Sequence, residues 1–171
     1  MSSSDLHPAS LSADELLREC DVRRHRKSGP GGQHRNKVET AIAVRHRPSG
    51  IAADAGERRS QAENQRVALA RLRVNLALHV RCRTIPGSDP SLLWQSRCRN
   101  GRIVVSIRHA DFPVLLAEAL DVLTDFDMDV QAAAGFLGCT PSQLVRFLKV
   151  QPRGLALVNR RRQKLGLHQL K

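Results

Sequence analysis

The chain of 171 residues contains no tyrosine, and aromatic side chains make up only 3% of the sequence. Proteins that stack bases on an aromatic sheet need several such side chains, so this mode of single-strand binding is disfavoured. No apolar run approaches the ~20 residues that a membrane-spanning helix needs. Residues 1–12 are polar and serine-rich, without the apolar stretch of a secretory signal. We therefore expect a cytoplasmic protein with no membrane partner.

Metal-binding and disulfide patterns are also missing. The four cysteines lie far apart and form no C-x-x-C pair; they are Cys20, Cys82, Cys98 and Cys139. This spacing argues against a zinc site or a disulfide framework and predicts reduced thiols. We expect no metal and no small-molecule cofactor.

Acidic residues are few relative to basic ones. Lysine and arginine total 28 against 16 acids, which gives a formal net charge of +12. Such an excess indicates RNA, DNA or an anionic membrane surface as partner. The charge is uneven: Asp111–Asp129 contains six acids and no Lys or Arg, and Val130–Lys171 contains eight Lys or Arg and no acid. We expect the first segment to face water or a basic partner, and the second to face an anion.

Glycine is concentrated in Ser28–Lys37, which reads S-G-P-G-G-Q-H-R-N-K. Such a segment suits a loop whose backbone comes very close to another molecule. Its tip, with Gln33, offers no strong nucleophile or general base, but it can place backbone N–H groups and one amide against a reacting centre. Basic residues flank the tip and indicate that this centre lies on a polyanion: Arg23, Arg24, Arg26, Lys27, Arg35 and Lys37.

Hydrophobic periodicity predicts a small mixed β-sheet with one long packed helix around this loop. We expect no order in residues 1–10, and a short helix at 11–19 with Ser12 and Glu15 as a capping box. The remaining elements are strands at 20–27, 39–47 and 51–55, a turn at 48–50 and a helix at 61–83. That helix is predicted to pack through Val67, Leu69 or Ala70, Val74 and Leu78. Its arginines form either a solvated face or a contact with RNA.

The second half of the chain predicts different elements. Residues 84–90 resemble a linker, and Asn100-Gly101 predicts a hairpin between strands at 92–97 and 102–108 that extends the same sheet. In that hairpin Trp94 serves packing or base stacking. Asp111 is expected to cap a helix that runs to about Phe126.

Asp129–Lys149 has the pattern of a helix-turn-helix, with the turn at Gly138. Ser142, Gln143 and Arg146 would be exposed on its second helix. The segment either binds nucleic acid or serves packing and ribosome docking. The cluster Arg160–Lys164 is expected in a basic tail, either as an RNA anchor or as a disordered solubilising end.

An ordered set of motifs resembles the catalytic domain of the class I peptide chain release factors. It consists of Ser28–His34, Asn36-Lys37, His46 followed by Pro48–Ile51, Arg59–Gln61 and Asn64. The resemblance implies a loop that enters the peptidyl-transferase centre and hydrolyses the ester between peptide and P-site tRNA. It implies that Gly31 and Gly32 allow the backbone turn, while Gln33 orients water through its backbone N–H and excludes other nucleophiles. Family members often carry this glutamine N-methylated.

The resemblance also assigns supporting roles. The loop would be supported by Ser28, Gly29, Pro30, His34, Asn36 and Lys37. For His34 and His46 a turn-supporting hydrogen bond or an RNA contact is favoured over catalysis or metal binding. RNA contacts are expected from Arg23, Arg24, Arg26, Lys27, Arg35, Arg59, Arg160, Arg161, Arg162 and Lys164.

Two departures bear on function. Arg35 stands where the family commonly has valine, and Ala43 stands where arginine is common. Few residues precede the loop and no codon-reading motif follows it, which is similar to the ribosome-rescue hydrolases, whose basic C-terminal extension lies in a vacant mRNA channel. Two rival hypotheses stay open: a non-catalytic ribosome- or RNA-binding protein with an unproductive loop, and a DNA-binding protein.

The expected organisation is therefore an α+β monomer that acts on the ribosome. Its parts are an N-terminal extension at 1–19, a release-factor-like domain at 20–83, a linker and hairpin at 84–110, a helical segment at 111–150 and a basic tail at 151–171.

Overall fold

A computed structural model describes residues 6–25, 40–83 and 88–171. The chain divides into two compact units. The first unit is Pro8–Leu76, and the second combines Met1–His7 with Ala77–Lys171. Helices outweigh strands in the described residues, and the expected α+β class is confirmed.

The first unit is a three-stranded sheet with helices. Helix α1 (Ala13–Arg18) precedes the strands β1 (Cys20–His25), β2 (Ala41–His46) and β3 (Ala52–Ala55), and helix α2 (Gln61–His79) follows them. The strand order is β1-β2-β3, and both described pairings are antiparallel, so the sheet is not mixed. The predicted capping box is confirmed: Ser12 accepts from the Glu15 N–H, and Glu15 accepts from the Ser12 N–H at 2.9 Å.

The core of this unit lies between the central strand and α2. Ile42 and Val44 of β2 are buried, whereas most of β1 is exposed. Three α2 residues spaced four positions apart are fully buried: Ala68, Leu72 and Leu76. The predicted positions Leu69 and Leu78 are confirmed as buried. Val67 and Val74 are only half-buried and Ala70 is exposed, so the buried face is displaced from the predicted one.

The second unit is built mainly from helices. They are α3 (Leu92–Arg97), α4 (Phe112–Asp125), α5 (Val130–Phe136), α6 (Pro141–Val150) and α7 (Pro152–Lys164). A two-stranded sheet pairs β4 (Cys98–Arg99) with β5 (Arg102–Ile103). Helix α4 supplies much of the core, since ten of its fourteen residues are buried.

The predicted strand at 92–97 is wrong, because this segment forms helix α3. The Ser91 hydroxyl accepts from the Trp94 N–H at 3.0 Å and caps the helix. Trp94 is 1% exposed and donates its indole N–H to the Leu137 carbonyl at 2.7 Å. The helical conformation thus buries the one tryptophan with its polar group satisfied. Packing, and not base stacking, is its role.

The Asn100-Gly101 turn is confirmed, with positive φ values of 49° and 72° that suit a tight hairpin. The hairpin is much shorter than expected, and its two strands form their own sheet instead of extending β1-β2-β3. The chain therefore leaves the turn with little strand pairing and enters α4.

Two further expectations need correction. Pro8–Ser10 forms a 3₁₀ turn with Ala9 fully buried, where no order was expected. The supposed basic tail contains helix α7, whose Gly154 and Val158 are buried. The Asn159 side chain then binds both the N–H and the carbonyl of Leu170, which fixes the end of the chain beside α7.

The acids of 111–129 serve partly inside the unit. Asp111 accepts from Arg97 at 2.6 Å, and the buried Asp121 accepts from Arg81 at 2.8 Å. Asp111 precedes α4 as predicted, but its side chain makes no capping hydrogen bond because it is paired with Arg97. The predicted basic partner thus lies, for these two acids, within the protein itself.

In the described parts of the chain, every helix is too short or too polar to cross a bilayer.

We predict that Trp94→Phe lowers the free energy of unfolding by about 2–3 kcal/mol, because it shrinks a buried side chain and leaves the Leu137 carbonyl without its donor. Leu92→Ala is the matched control, since Leu92 lies on the same helix and is 83% exposed. Urea unfolding measures both. Equal effects of the two changes would contradict the assigned role of Trp94.

Candidate functional site

The predicted catalytic loop lies outside the described residues. This applies to Gly31, Gly32 and Gln33, to the supporting residues Ser28, Gly29, Pro30, His34, Asn36 and Lys37, and to Arg26, Lys27 and Arg35. The structure does describe the end of β1, which precedes this segment, and the start of β2, which follows it. The base of the loop is therefore the part of the site that can be built from contacts.

The base is formed by paired strands. His25, at the end of β1, is the partner of Ala41, at the start of β2. The residues that flank the loop segment are thus neighbours across an antiparallel ladder. Arg23 and Arg24 lie near the end of β1, and both are exposed.

A third chain segment reaches the same end of the sheet. Ile42 pairs with Ala55, so β3 ends where the loop segment begins and ends. The bend at 57–59 follows directly and carries the exposed Arg59. The structure therefore brings Arg59 to the sheet end that also carries Arg24.

Asn64 holds this end together. Its side-chain NH₂ donates to the Thr40 carbonyl at 2.7 Å and to the Arg58 carbonyl at 2.9 Å, and its oxygen accepts from the Arg58 N–H at 2.9 Å. Asn64 is 0% exposed. One buried amide thus joins the return point of the loop, the bend and the first turns of α2.

The bend is held from a second side by Arg71 of α2. Its guanidinium donates to Glu57 at 2.6 Å and to the Asp54 carbonyl at 2.7 Å. The Gly56 N–H bonded to the Glu57 carboxylate lowers the pKa of that group. Arg71 is consequently committed to the fold, whereas Arg59 takes part in none of the ion pairs described for this unit.

His46 lies at the opposite end of the sheet. Its Nδ1 is 2.7 Å from the Ser49 hydroxyl and accepts from the Ser49 N–H, while its Nε2 is 2.9 Å from Glu19. Both nitrogens are used, and the ring is 3% exposed. The expected turn-supporting hydrogen bond is confirmed, and Gly50 closes the same turn with φ +70°.

The C-terminal residues of the predicted RNA-binding set lie on α7. Arg160, Arg161 and Lys164 are exposed. Arg162 is different, because its guanidinium donates to the Met128 carbonyl and to the His168 carbonyl at 2.7 Å. We leave Arg162 out of the proposed RNA contacts for that reason.

The helix-turn-helix pattern is matched by α5, a turn at Gly138 with φ +64°, and α6. Thr140 caps α6 by accepting from the Gln143 N–H at 3.2 Å. Six apolar residues of these two helices and their turn are buried: Ala133, Ala134, Leu137, Leu144, Phe147 and Leu148. Ser142 and Arg146 are exposed and Gln143 is half-buried.

A polar cluster in the second unit was not indicated by any pattern in the sequence. One ligand-type atom each of His7, Cys82 and Asp121 lies within 4.8 Å of the others. Burial raises the pKa of the Asp121 carboxyl to about 7 and lowers the pKa of His7 to about 4. Arg81 donates to Asp121 and is thus its cationic partner. We interpret the cluster as a buried ion pair with neutral neighbours, and not as a metal centre.

Comparison with known proteins shows which domain this chain contains. Residues 15–86 match the RF-1 domain, a segment that includes the loop and the base described above. Peptide chain release factor 1 of Acidiphilium cryptum (strain JF-5) is 38% identical over 148 residues, covering 74% of this chain and 42% of that protein. Residues 15–86 therefore belong to the RF-1 domain family, and this part of the chain is shared with peptide chain release factors.

Two further members of the release factor family show the same similarity. Peptide chain release factor 1 of Gluconobacter oxydans (strain 621H) is 41% identical over 71 residues, covering 40% of this chain and 20% of that protein. Peptide chain release factor PrfB1, chloroplastic, of Arabidopsis thaliana is 35% identical over 88 residues, covering 48% and 19%. The chain therefore spans less than half the length of each of these release factors.

We predict that Asn64→Ala destabilises the release factor domain by about 2–4 kcal/mol, because it leaves the Thr40 carbonyl and both Arg58 backbone groups without the buried amide that binds them. Arg66→Ala is the control on the exposed face of the same helix. Urea unfolding gives the loss, and amide exchange of the Arg58 N–H, which donates to Asn64, locates it. Unchanged protection of this amide in Asn64→Ala would contradict the assignment.

We predict acid destabilisation through His7. Burial lowers its pKa from the ordinary histidine value of 6.5 to about 4, so its contribution to stability is present above pH 6.5 and is lost as the pH falls through about 4. The total loss is about 3 kcal/mol. His7→Asn should remove this slope, whereas His168→Asn, at an exposed histidine, should keep it.

Denaturant unfolding between pH 4 and 7 measures the effect. Asp121 acts in the opposite direction, because its raised pKa gives a contribution that is lost as the pH rises through about 7. The difference between wild type and His7→Asn isolates His7. A constant difference over this range would show that His7 does not titrate abnormally.

Proposed function

We propose that this protein is a ribosome-dependent peptidyl-tRNA hydrolase that releases nascent peptides without reading a stop codon. The observation that carries the proposal is the RF-1 domain match at residues 15–86, which includes Gly31, Gly32 and Gln33. The printed names of the relatives describe peptide chain release factors. The partner would be the large ribosomal subunit with peptidyl-tRNA in its P site, and the protein would act as a monomer in the cytoplasm.

The chemistry is hydrolysis of one ester bond. Water attacks the carbonyl carbon that joins the peptide to the tRNA ribose, the ester C–O bond breaks, and the proton from water goes to the leaving ribose oxygen. The products are a peptide acid and a free tRNA hydroxyl. Gln33 would orient the water through its backbone N–H, while Gly31 and Gly32 would allow the backbone to approach closely.

The described base supports this role because it supplies rigidity without reactive groups. Strand pairing at His25 and Ala41 fixes both ends of the loop segment, and Asn64 fixes its return at Thr40. Arg23, Arg24 and Arg59 add exposed positive charge at or near the same sheet end, suited to the phosphates of ribosomal RNA. Positioning would come from the protein and proton transfer from the RNA site.

Ribosome rescue is the proposed setting. No tripeptide motif of codon recognition was identified in the sequence, and the second unit offers basic helices instead. These helices would hold the protein on RNA whatever codon occupies the decoding site. Arg160, Arg161 and Lys164 are the proposed contacts from that unit.

A second candidate function is RNA binding without catalysis. It is favoured by Arg35, which places a charged side chain where the family commonly has valine. In that case the basic surfaces would bind ribosomes and the loop would release nothing. The experiment below separates the two.

We predict that the wild-type protein releases labelled peptide from ribosomes stalled at the end of an mRNA without a stop codon, and that Gly32→Ala lowers the release rate by at least ~100-fold, as for loss of a transition-state contact. Gly135→Ala is the matched control, because a Cβ at Gly135 meets nothing within 4 Å. Ribosome binding should persist in both variants.

Two further outcomes decide between the candidates. Binding by wild type without release would overturn the hydrolase and support the RNA-binding protein. Faster release on ribosomes with a stop codon than with a sense codon in the decoding site would overturn codon independence and leave hydrolysis intact.

A further inference from the structure

Helix α7 carries a continuous stripe of positive charge. Arg153, Arg160, Arg161 and Lys164 follow one another at spacings of seven, one and three residues, which places them on one side of an α-helix. All four are exposed. The flank beside the stripe contains Gly154 and Val158, both buried, so α7 is fixed by packing with its cationic side turned outward.

Packing at Gly154 brings this stripe to the end of α2. A Cβ at Gly154 would lie 3.4 Å from Leu116 and 3.8 Å from Leu78, so the first turn of α7 lies against both α4 and the last turn of α2. His79 and Arg81 follow Leu78 directly. The side chains of His79 and Arg81 therefore lie close to the stripe.

Electrostatics agrees with this geometry. Burial lowers the pKa of His79, and the charges of Arg153, Arg81 and Arg160 lower it further. The pKa of Arg81 is lowered by burial as well, with Arg161 among the charges that act on it. These residues are therefore close enough to repel one another.

Acidic side chains compensate only one of them. Asp121 pairs with Arg81, and Asp125 lies one helical turn further along α4. Within the described residues, none of the ion pairs involves Arg153, Arg160, Arg161 or Lys164. A cluster of like charges fixed on a packed helix costs folding free energy, and an anionic ligand removes that cost.

We infer that the face formed by His79, Arg153, Arg160, Arg161 and Lys164, termed the α7 face, is a binding site for the phosphate backbone of structured RNA. Arginine dominates the face, and its planar guanidinium matches two phosphate oxygens at once. The choice of RNA over another polyanion rests on the proposed function. The site adds Arg153 and the end of α2 to the residues that the sequence indicated and omits Arg162.

The contacts are with phosphates, so the face gives affinity without base specificity. Each neutralised phosphate releases counterions, and the dissociation constant then depends steeply on salt. Three arginines of the face should account for about two to three units of the slope of log Kd against log salt concentration.

The test is binding of purified large ribosomal subunits by the triple variant R153Q/R160Q/R161Q. The matched control is R99Q/R102Q/R108Q, which removes the same charge from exposed arginines around the β4–β5 hairpin of the same unit. We expect the α7 variant to raise Kd at least 10-fold at 0.1 M salt and to lower the salt slope by about two or more. The control should change Kd less than threefold.

Other results would overturn the inference. Equal loss in both variants would show that only net charge matters, and no loss in the α7 variant would show that the face does not touch RNA. Loss of binding to phosphatidylglycerol vesicles with unchanged binding to ribosomal subunits would assign the face to a membrane. Circular dichroism of both variants checks that α7 is intact.

Binding and hydrolysis are measured separately, so the two proposals fail separately. Peptide release by wild type together with unchanged binding by the α7 variant would remove this site and leave the hydrolase. Loss of binding in the α7 variant without release by wild type would keep the site and remove the hydrolase.

Discussion

The buried amide of Asn64 is the interaction on which the described site depends. It satisfies the Thr40 and Arg58 backbone groups at once, and these groups belong to segments that are far apart in the chain. Without it the return point of the loop segment and the bend that carries Arg59 would lack their common anchor. A loop that acts by placing backbone N–H groups needs such a base, because an error of about 1 Å in position weakens catalysis strongly.

Ion pairs within each unit influence which charges the protein presents at its surface. Asp111 and Asp121 are used within the second unit by Arg97 and Arg81, and Glu57 is used within the first by Arg71. These pairs use acids within the units. On α7, by contrast, the exposed arginines and lysine take part in none of the ion pairs among the described residues, so this helix presents part of the net charge of +12. Different charged residues therefore serve folding and the proposed RNA binding.

Local patterns in the sequence were sufficient where the interaction itself is local. The capping box of Ser12 and Glu15 and the Asn100-Gly101 turn join residues close in the chain, and both were predicted correctly. Helix α3 was not, because its conformation is decided by the contact of Trp94 with Leu137, 43 residues away. The hydrogen bonds of Arg162 could not be predicted from the sequence either, because its carbonyl partners, Met128 and His168, are brought to it by tertiary packing.

The proposed hydrolase separates chemistry from affinity. The glycines and the glutamine at the tip of the predicted loop offer few side-chain groups for binding, so we expect affinity to come mainly from phosphate contacts, which act without regard to sequence. Affinity of this kind weakens as salt is added, but the geometry of the loop at the reacting ester does not depend on salt. The rate at saturating protein and the dissociation constant should therefore respond to different residues, Gly32 and Gln33 for the first and the arginines of the α7 face for the second.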